Sequence, residues 1–275
     1  MRPGVLRRRG GSADTPFVAT NRPLPAVTID PAARTVRVGE RTLPFADPEA
    51  FALVSELWIQ AGWDVKHVYT FSWMGRPIIQ LPEDLLRLQE LIYEVKPDVV
   101  LETGIAHGGS LVFYASLLKA MGHGRVVGVD VEIRPANKAA LDAHELRPLI
   151  TAIEGDAIAP ETVARVRGTI ADGERVLLIL DSKHTRDHVA AELRAYADLV
   201  PAGSAIVVAD GIMRDVVGAP RTSPEWAHDN PVSAVDAFLA ERPEFERIAP
   251  PRGFDESLGA AAATYFRDGW LRRTR

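Results

Sequence analysis

Residues 98–110 read DVVLETGIAHGGS, and this stretch decides the fold. Lys96-Pro97 ends the segment before it, Val99 to Leu101 make an unbroken apolar run, and Gly104, Gly108 and Gly109 crowd the turn that follows. An apolar run without alternation marks a strand buried on both faces. Beyond the turn, GSLVFYASLLKAMG has the length and composition of a helix, so the unit is strand, glycine turn, helix.

Outward from that unit the same alternation repeats. EDLLRLQELIYEV precedes it as an amphipathic helix. RVVGVD, ITAIEGD, RVLLILD and SAIVVAD follow as strands, separated by the helical runs NKAALDAHEL, ETVARVRGTI and DHVAAELRAYADLV. Five parallel strands result. After Asp210 the pattern lapses over residues 211–230, which is long for a connection and reads as a functional loop. PVSAVDAFLAE then restores a helix, and FERIAP and ATYFRDGW read as two closing antiparallel strands. The expected fold is α/β: a doubly wound, Rossmann-like, mostly parallel seven-stranded sheet with helices on both faces.

The first 82 residues lack this alternation. Residues 1–30 read as a flexible arm and residues 31–82 as an accessory or lid segment, with the sheet domain at 83–275. Within the accessory segment RTVRVGERTLPF predicts a hairpin. Pro48 starts a helix that puts Phe51, Leu53, Val54, Leu57 and Trp58 on one apolar face. Tyr69, Phe71, Trp73 and Trp226 are candidate aromatic walls for an acceptor.

With 47% hydrophobic and 25% charged residues over 275 positions, the composition is that of an ordinary globular protein. A net charge of -5 argues against a nucleic-acid partner. The absence of cysteine excludes disulfides, thiolate metal sites and a cysteine nucleophile. Arg7 to Arg9 are followed by GGSADTPF rather than an apolar core, and no run approaches a membrane span, so a cytoplasmic location without membrane partners is expected.

In sheets of this kind ligands sit at the carboxyl ends of the strands, where the strand order reverses. Asp130 ends the second strand about twenty residues past the glycine turn, where an acid accepts ribose hydroxyls, and Asp156 ends the third in reach of an adenine. The glycine spacing departs from GxGxxG, which favours S-adenosylmethionine over a pyrophosphate-bearing dinucleotide. The fourth strand runs into LDSKHTRDH, residues 180–188, with Asp181 at its end and Asp210 at the end of the fifth. Two carboxylates suit magnesium; equally, Asp181 caps a helix and Asp210 belongs to a loop. His184 is a candidate general base beside a metal-acidified hydroxyl, and Lys183 competes for that role. His188 reads as a supporting or surface residue.

The runs MGRPIIQLPEDLLRLQELIYEVKPDVVLETGIAHGGS and LDSKHTRDHVAAELRAYADLVPAGSAIVVAD, with DNPVSAVDAFL and GWLRR, resemble the cephalosporin hydroxylase/rhamnosyl O-methyltransferase family in matching order over about residues 65 to 273. The resemblance implies a class I, S-adenosylmethionine- and magnesium-dependent O-methyltransferase. Its substrate would be a small-molecule acceptor, a deoxysugar or glycosylated natural product, and a homo-oligomer is expected. It puts the cofactor against Glu102, Gly104, Ala106, Gly108, Ser110, Asp130 and Asp156, the metal at Asp181 and Asp210, and the base at His184. Members usually carry an acidic pair at the end of the fifth strand, whereas here Ala209 precedes Asp210, so one expected carboxylate is missing and three outcomes stay open: a weakened metal site, one completed by Asp215 or a backbone carbonyl, or a lost one. A nicotinamide-dependent dehydrogenase on the same sheet and a cofactor-binding protein with a decayed site are the competing readings.

Overall fold

Gly39 and Glu40 leave only a two-residue loop between two alternating runs, and Gly39 takes the left-handed φ of +57° that such a turn requires. In the computed structural model, which describes residues 26–258 and 263–275, the strands β1 (Val27–Asp30), β2 (Thr35–Val38) and β3 (Arg41–Pro44) form an antiparallel sheet around that hairpin. Most of the expected N-terminal arm, residues 1–25, lies outside the described residues. Its last residues are strand β1 instead, because β2 offers an open edge for Val27 to Asp30 to pair with.

Helix α1 (Pro48–Asp64) starts where expected, with the Asp47 carboxylate accepting from the Glu49 amide and proline in the first turn. Its orientation differs from the periodicity reading. Ala50, Glu56 and Ile59 are buried, while Phe51 and Trp58 are 56% and 41% exposed. The cause is polar: Glu56 Oε2 meets Arg267 Nη2 at 2.6 Å, and Arg267 Nη1 meets Asp215 at 3.0 Å, so the helix turns that side inward. Removing Arg267 would leave two carboxylates in a buried setting without their cation.

A hairpin unseen in the sequence follows, β4 (Phe71–Trp73) and β5 (Arg76–Ile78). After α2 (Pro82–Val95), the main domain runs β6 (Val99–Thr103), α3 (Gly109–Met121), β7 (Arg125–Asp130), α4 (Pro135–Asp142), β8 (Ile150–Glu154), α5 (Pro160–Arg167), β9 (Val176–Leu180), α6 (Arg186–Tyr196), β10 (Ala205–Val208), α7 (Pro231–Glu241), β11 (Phe245–Arg247) and β12 (Trp270–Arg273). The seven strands lie in the order β11-β12-β10-β9-β6-β7-β8, with the five from β6 to β10 parallel and the last two antiparallel. The order reverses between β6 and β9, which puts the ligand crevice beside their carboxyl ends.

Alternate strand residues face two cores. Val100, Val126, Leu177 and Ile179 pack under α2 and α3 with Leu88 and Leu111; Leu101, Val127, Leu178 and Ile206 pack under α6 and α7 with Leu193 and Phe238. Each fully buried leucine contributes about 2 kcal/mol.

The closing strand is Trp270–Arg273, not residues 263–270 as ATYFRDGW suggested. Buried Asp84 on α2 binds the Thr264 hydroxyl and, at 2.9 Å, the Tyr265 amide, while Tyr265 O accepts from Ile212 at 3.0 Å. These bonds hold the chain in a turn against the loop after β10, and the ladder with β10 begins only at Gly269. Among the described residues no helix is long and apolar enough to cross a membrane.

Candidate active site

Strand register brings the rim together. Thr103 lies beside Val129 on one side and Leu180 on the other, and Val208 lies beside Leu180. Gly104, Asp130, Asp181 and Asp210 are therefore displayed along one edge. A Cβ at Gly104 would stand 2.0 Å from Asp181 O, and at Gly108 2.6 Å from Leu141. These glycines thus answer a demand of chain packing at the turn.

Asp181, His184 and Asp210 converge, with one potential ligand atom from each within 4.8 Å of the others. Asp210 adopts a left-handed φ of +56°, a conformation aspartate tolerates better than most side chains. His184 Nε2 stands 3.2 Å from its Oδ2. Asp181 Oδ2 accepts from Gln80 Nε2 at 3.1 Å. Burial, and then the neighbouring Asp210 carboxylate, push the Asp181 carboxyl well above the usual range, against the opposing influence of His184. Two facing carboxylates at the edge of a packed interior are an environment that a divalent cation relieves, and hard oxygen donors fit magnesium. The donor set therefore fits the implied metal.

Asp215 does not join this group. It is held by Arg214 at 3.1 Å and Arg267 at 3.0 Å, so the expectation that it replaces the missing acid gives way to a structural ion-pair role. Ala209 is buried, and strand alternation points it to the same side of the sheet as Asp181. His188 pairs with buried Glu192 at 3.5 Å, and Glu192 accepts from the Ser182 hydroxyl at 2.6 Å. This bracing of the 181–188 segment from behind raises the His188 pKa, chiefly through the Glu192 bond.

At the glycine turn Asp130 Oδ2 accepts from the amides of Ile105 and Ala106 at 2.8 and 2.9 Å, and Asp156 is exposed at the rim. Both acids retain acceptor capacity there, as hydroxyl and amino groups of an adenosyl ligand require. Glu102 and Ser110 depart from the expectation that they face the cofactor. Glu102 is completely buried beneath the turn, where Oε2 accepts from Ser110 at 2.5 Å and Oε1 from the Tyr114 hydroxyl at 2.8 Å. A buried acid on a strand needs donors, and Ser110 and Tyr114, four residues apart on α3, supply them.

Burial pushes Glu102 up to about 8. Between the ordinary carboxyl range and that value the folded chain holds a proton that the unfolded chain releases, so stability falls as pH rises across this window. Glu102→Gln removes this dependence. Chemical denaturation from pH 5 to 8 should show the wild type losing, relative to the variant, up to ~1.4 kcal/mol per pH unit, with no further relative loss above the folded pKa.

The hairpin β4–β5 clamps the turn from above. Arg76 donates to His107 O at 3.0 and 2.6 Å and to Asn137 at 3.1 Å, and a Cβ on Gly109 would meet Pro77 O at 2.1 Å. Two proposed aromatic walls are otherwise engaged: Trp73 packs edge-on against Phe113 and donates to Ser116, and Trp226 packs on Trp63. Phe71 is partly buried against the core and His67, while Tyr69 is 63% exposed. Gln80 was missed by sequence reasoning, since nothing in its spacing links it to Asp181.

Solved structures of CmcI share this fold. An apo structure of CmcI matches with a TM-score of 0.52 and 20% identity, covering 75% of this chain and 77% of that one. A second CmcI structure, described as Mg-SAM, matches with a TM-score of 0.51 and 19% identity, covering 75% and 78%. The sheet has the strand order of the class I methyltransferase fold. Residues 65–274 match the rhamnosyl O-methyltransferase/CmcI family, and the chain belongs to it. It is an S-adenosylmethionine-dependent O-methyltransferase. Rhamnosyl O-methyltransferase of Mycobacterium leprae is 29% identical over 176 residues, 63% of this chain and 72% of that protein. The Mycobacterium tuberculosis enzyme of the same name is 28% identical over 177 residues, 62% and 67%.

Proposed function

We propose that this chain methylates a hydroxyl of a deoxysugar carried on a glycosylated natural product, using magnesium at Asp181 and Asp210 and His184 as general base. The observation that carries the reading is the convergence of Asp181, His184 and Asp210 at the rim where the strand order reverses. The rhamnosyl relatives support a sugar acceptor.

Bound S-adenosylmethionine supplies an activated methyl group, and bound magnesium a Lewis-acid site for acceptor oxygens. Gly104, Ala106 and Gly108 line the cofactor's approach, Asp130 accepts the ribose hydroxyls, and Asp156 receives the adenine end. Glu102 and Ser110 brace the turn from below. Asp181 and Asp210 would hold the magnesium against which the acceptor hydroxyl is placed; His184 takes the hydroxyl proton as the oxygen bonds to the methyl carbon, and the carbon–sulfur bond breaks to leave a neutral thioether. Magnesium prefers oxygen donors, which leaves the imidazole nitrogen to the proton. Fixed placement of the reacting groups accounts for much of the rate enhancement.

The test is methyl transfer to a panel of rhamnosyl and other deoxysugar glycosides, read by mass spectrometry with magnesium and with chelator. Transfer to the sugar that chelator abolishes supports the reading; transfer only to non-sugar hydroxyls, or undiminished by chelator, contradicts it.

Ala209 leaves this site one carboxylate short of the family's usual acidic pair. Ala209→Asp adds a carboxylate on the Asp181 side, so magnesium affinity should rise on the order of tenfold. The metal-free melting temperature should fall through like-charge repulsion. Calorimetric titration with magnesium and thermal melts in chelator check the two signs.

A further inference from the structure

The run DNPVSAVDAFL, residues 229–239, is among those that mark the family but has no part in the proposed chemistry. Its first residue reaches the active site. Asp229 Oδ1 accepts from the Arg186 amide at 2.6 Å, at the start of α6 and two residues beyond His184. Thr185, which precedes α6, makes no capping bond with its own side chain. The first amide of α6 is thus met by a carboxylate 43 positions along the chain.

Asp229 is itself firmly held. Its amide donates to Glu225 O at 2.7 Å. The neighbouring Asn230, completely buried, donates to Trp226 O at 2.8 Å and accepts from the Ser233 amide at 3.0 Å. Farther back in the loop, Trp63 of α1 donates to Pro220 O at 3.0 Å, and the Arg221 guanidinium bonds Trp63 O. The Trp63 and Trp226 rings meet edge-on, 5.9 Å between centroids. The same loop begins at Asp210, whose Oδ2 stands 3.2 Å from His184 Nε2. His184 lies on residues 181–185, a stretch outside helix and strand. That stretch is tied to the sheet by Asp181 N, which donates to Thr103 O at 2.9 Å, and to α6 by Ser182, which donates to Glu192. Asp229 ties its far end to the loop.

We propose that Asp229 is a positioning residue for the base: its bond to Arg186 sets the turn that carries His184, so the loop after β10 controls both the Asp210 carboxylate and the imidazole facing it. The inference rests on the reading of His184 as general base. A base works only within hydrogen-bond reach of the hydroxyl it serves, and a misplacement of about 1 Å costs on the order of a hundredfold in rate. Outside helix and strand, the turn depends on such ties for its shape. A carboxylate on the first amide of α6 also suits the positive end of the helix.

The test is a double-mutant cycle with His184→Ala, read as kcat at saturating S-adenosylmethionine and magnesium with p-nitrophenyl rhamnoside as acceptor. Asp229→Ala should lower kcat on the order of ten- to a hundredfold, with magnesium and S-adenosylhomocysteine affinities unchanged. Asp229→Asn keeps an oxygen for the Arg186 amide and should restore most of the rate. In the His184→Ala background Asp229→Ala should cost at most about twofold more, because no base is left to misplace. Thr185→Asp added to Asp229→Ala gives α6 a local cap; it should recover melting temperature but not rate, which separates positioning from stability. Hydrogen exchange needs no acceptor: Asp229→Ala should speed exchange over residues 181–188 and not over residues 99–121. Unchanged exchange, an unchanged kcat in Asp229→Ala beside a lowered one in His184→Ala, or equal losses in both backgrounds overturns the inference and leaves the base assignment standing. An unchanged kcat in His184→Ala overturns both.

Discussion

His184→Ala should lower kcat on the order of a hundred- to ten-thousandfold while leaving magnesium affinity close to that of the wild type. The two readouts together separate a base from a ligand. His184 Nε2 lies 3.2 Å from Asp210 Oδ2 and within the 4.8 Å cluster, so proximity alone allows either role. Chemistry distinguishes them, since magnesium is satisfied by carboxylate and water oxygens and gains little from an imidazole. A base is also needed, because a sugar hydroxyl is a weak nucleophile until its proton has somewhere to go. Asp210 Oδ2, 3.2 Å from the ring nitrogen, orients the imidazole. Steady-state kinetics and calorimetric magnesium titration on the same preparation make the measurement, and exogenous imidazole should restore part of the lost rate. A parallel collapse of magnesium affinity would falsify the base assignment and make His184 a ligand.

The sheet was legible in the sequence because each of its parallel strands is a short apolar run with a helix behind it, and Asp181 and Asp210 are the residues next beyond two such runs. Asp130 and Asp156 were legible for the same reason. What was not legible depended on contacts far apart in the chain. The Gln80 amide reaches Asp181, 101 positions away, and no local pattern announces it. The inward face of α1 was misjudged because a buried ion pair from Glu56 to Arg267, 211 positions apart, outweighed the burial of Phe51 and Trp58. The closing strand slipped to Trp270–Arg273 because Asp84 captured Thr264 and Tyr265 before they could join the ladder. Glu102 was assigned to the cofactor from its place in a motif. Its burial followed from strand alternation, which puts it under α3 with Ser110 and Tyr114 as donors.

Asp181→Asn should separate stability from function in opposite directions. Without metal, the wild-type carboxylate sits half-buried beside Asp210, and its pKa is driven well above the ordinary range by desolvation first and that neighbour second. A folded-state pKa above the unfolded one means that stability is lost as pH rises from the ordinary carboxyl range toward the folded value. The asparagine amide has no charge to desolvate and keeps an oxygen to accept from Gln80, so in chelator the variant should melt higher than the wild type at neutral pH. With magnesium the order reverses. The wild type gains the stabilisation of a ligand that binds only the folded state, while the variant has lost a charged donor and shows little shift. Its kcat/KM should fall on the order of a hundredfold or more, the loss expected when a metal no longer stabilises charge on the attacking oxygen. Thermal melts with chelator and with magnesium, beside initial rates, give all three quantities. A variant less stable than the wild type in chelator would show that Asp181 holds the fold together, and unchanged kcat/KM at saturating magnesium would remove it from the metal site. Both outcomes together would mean that the enzyme keeps a carboxylate its metal-free fold would be better without, with the lost stability recovered when a cation binds.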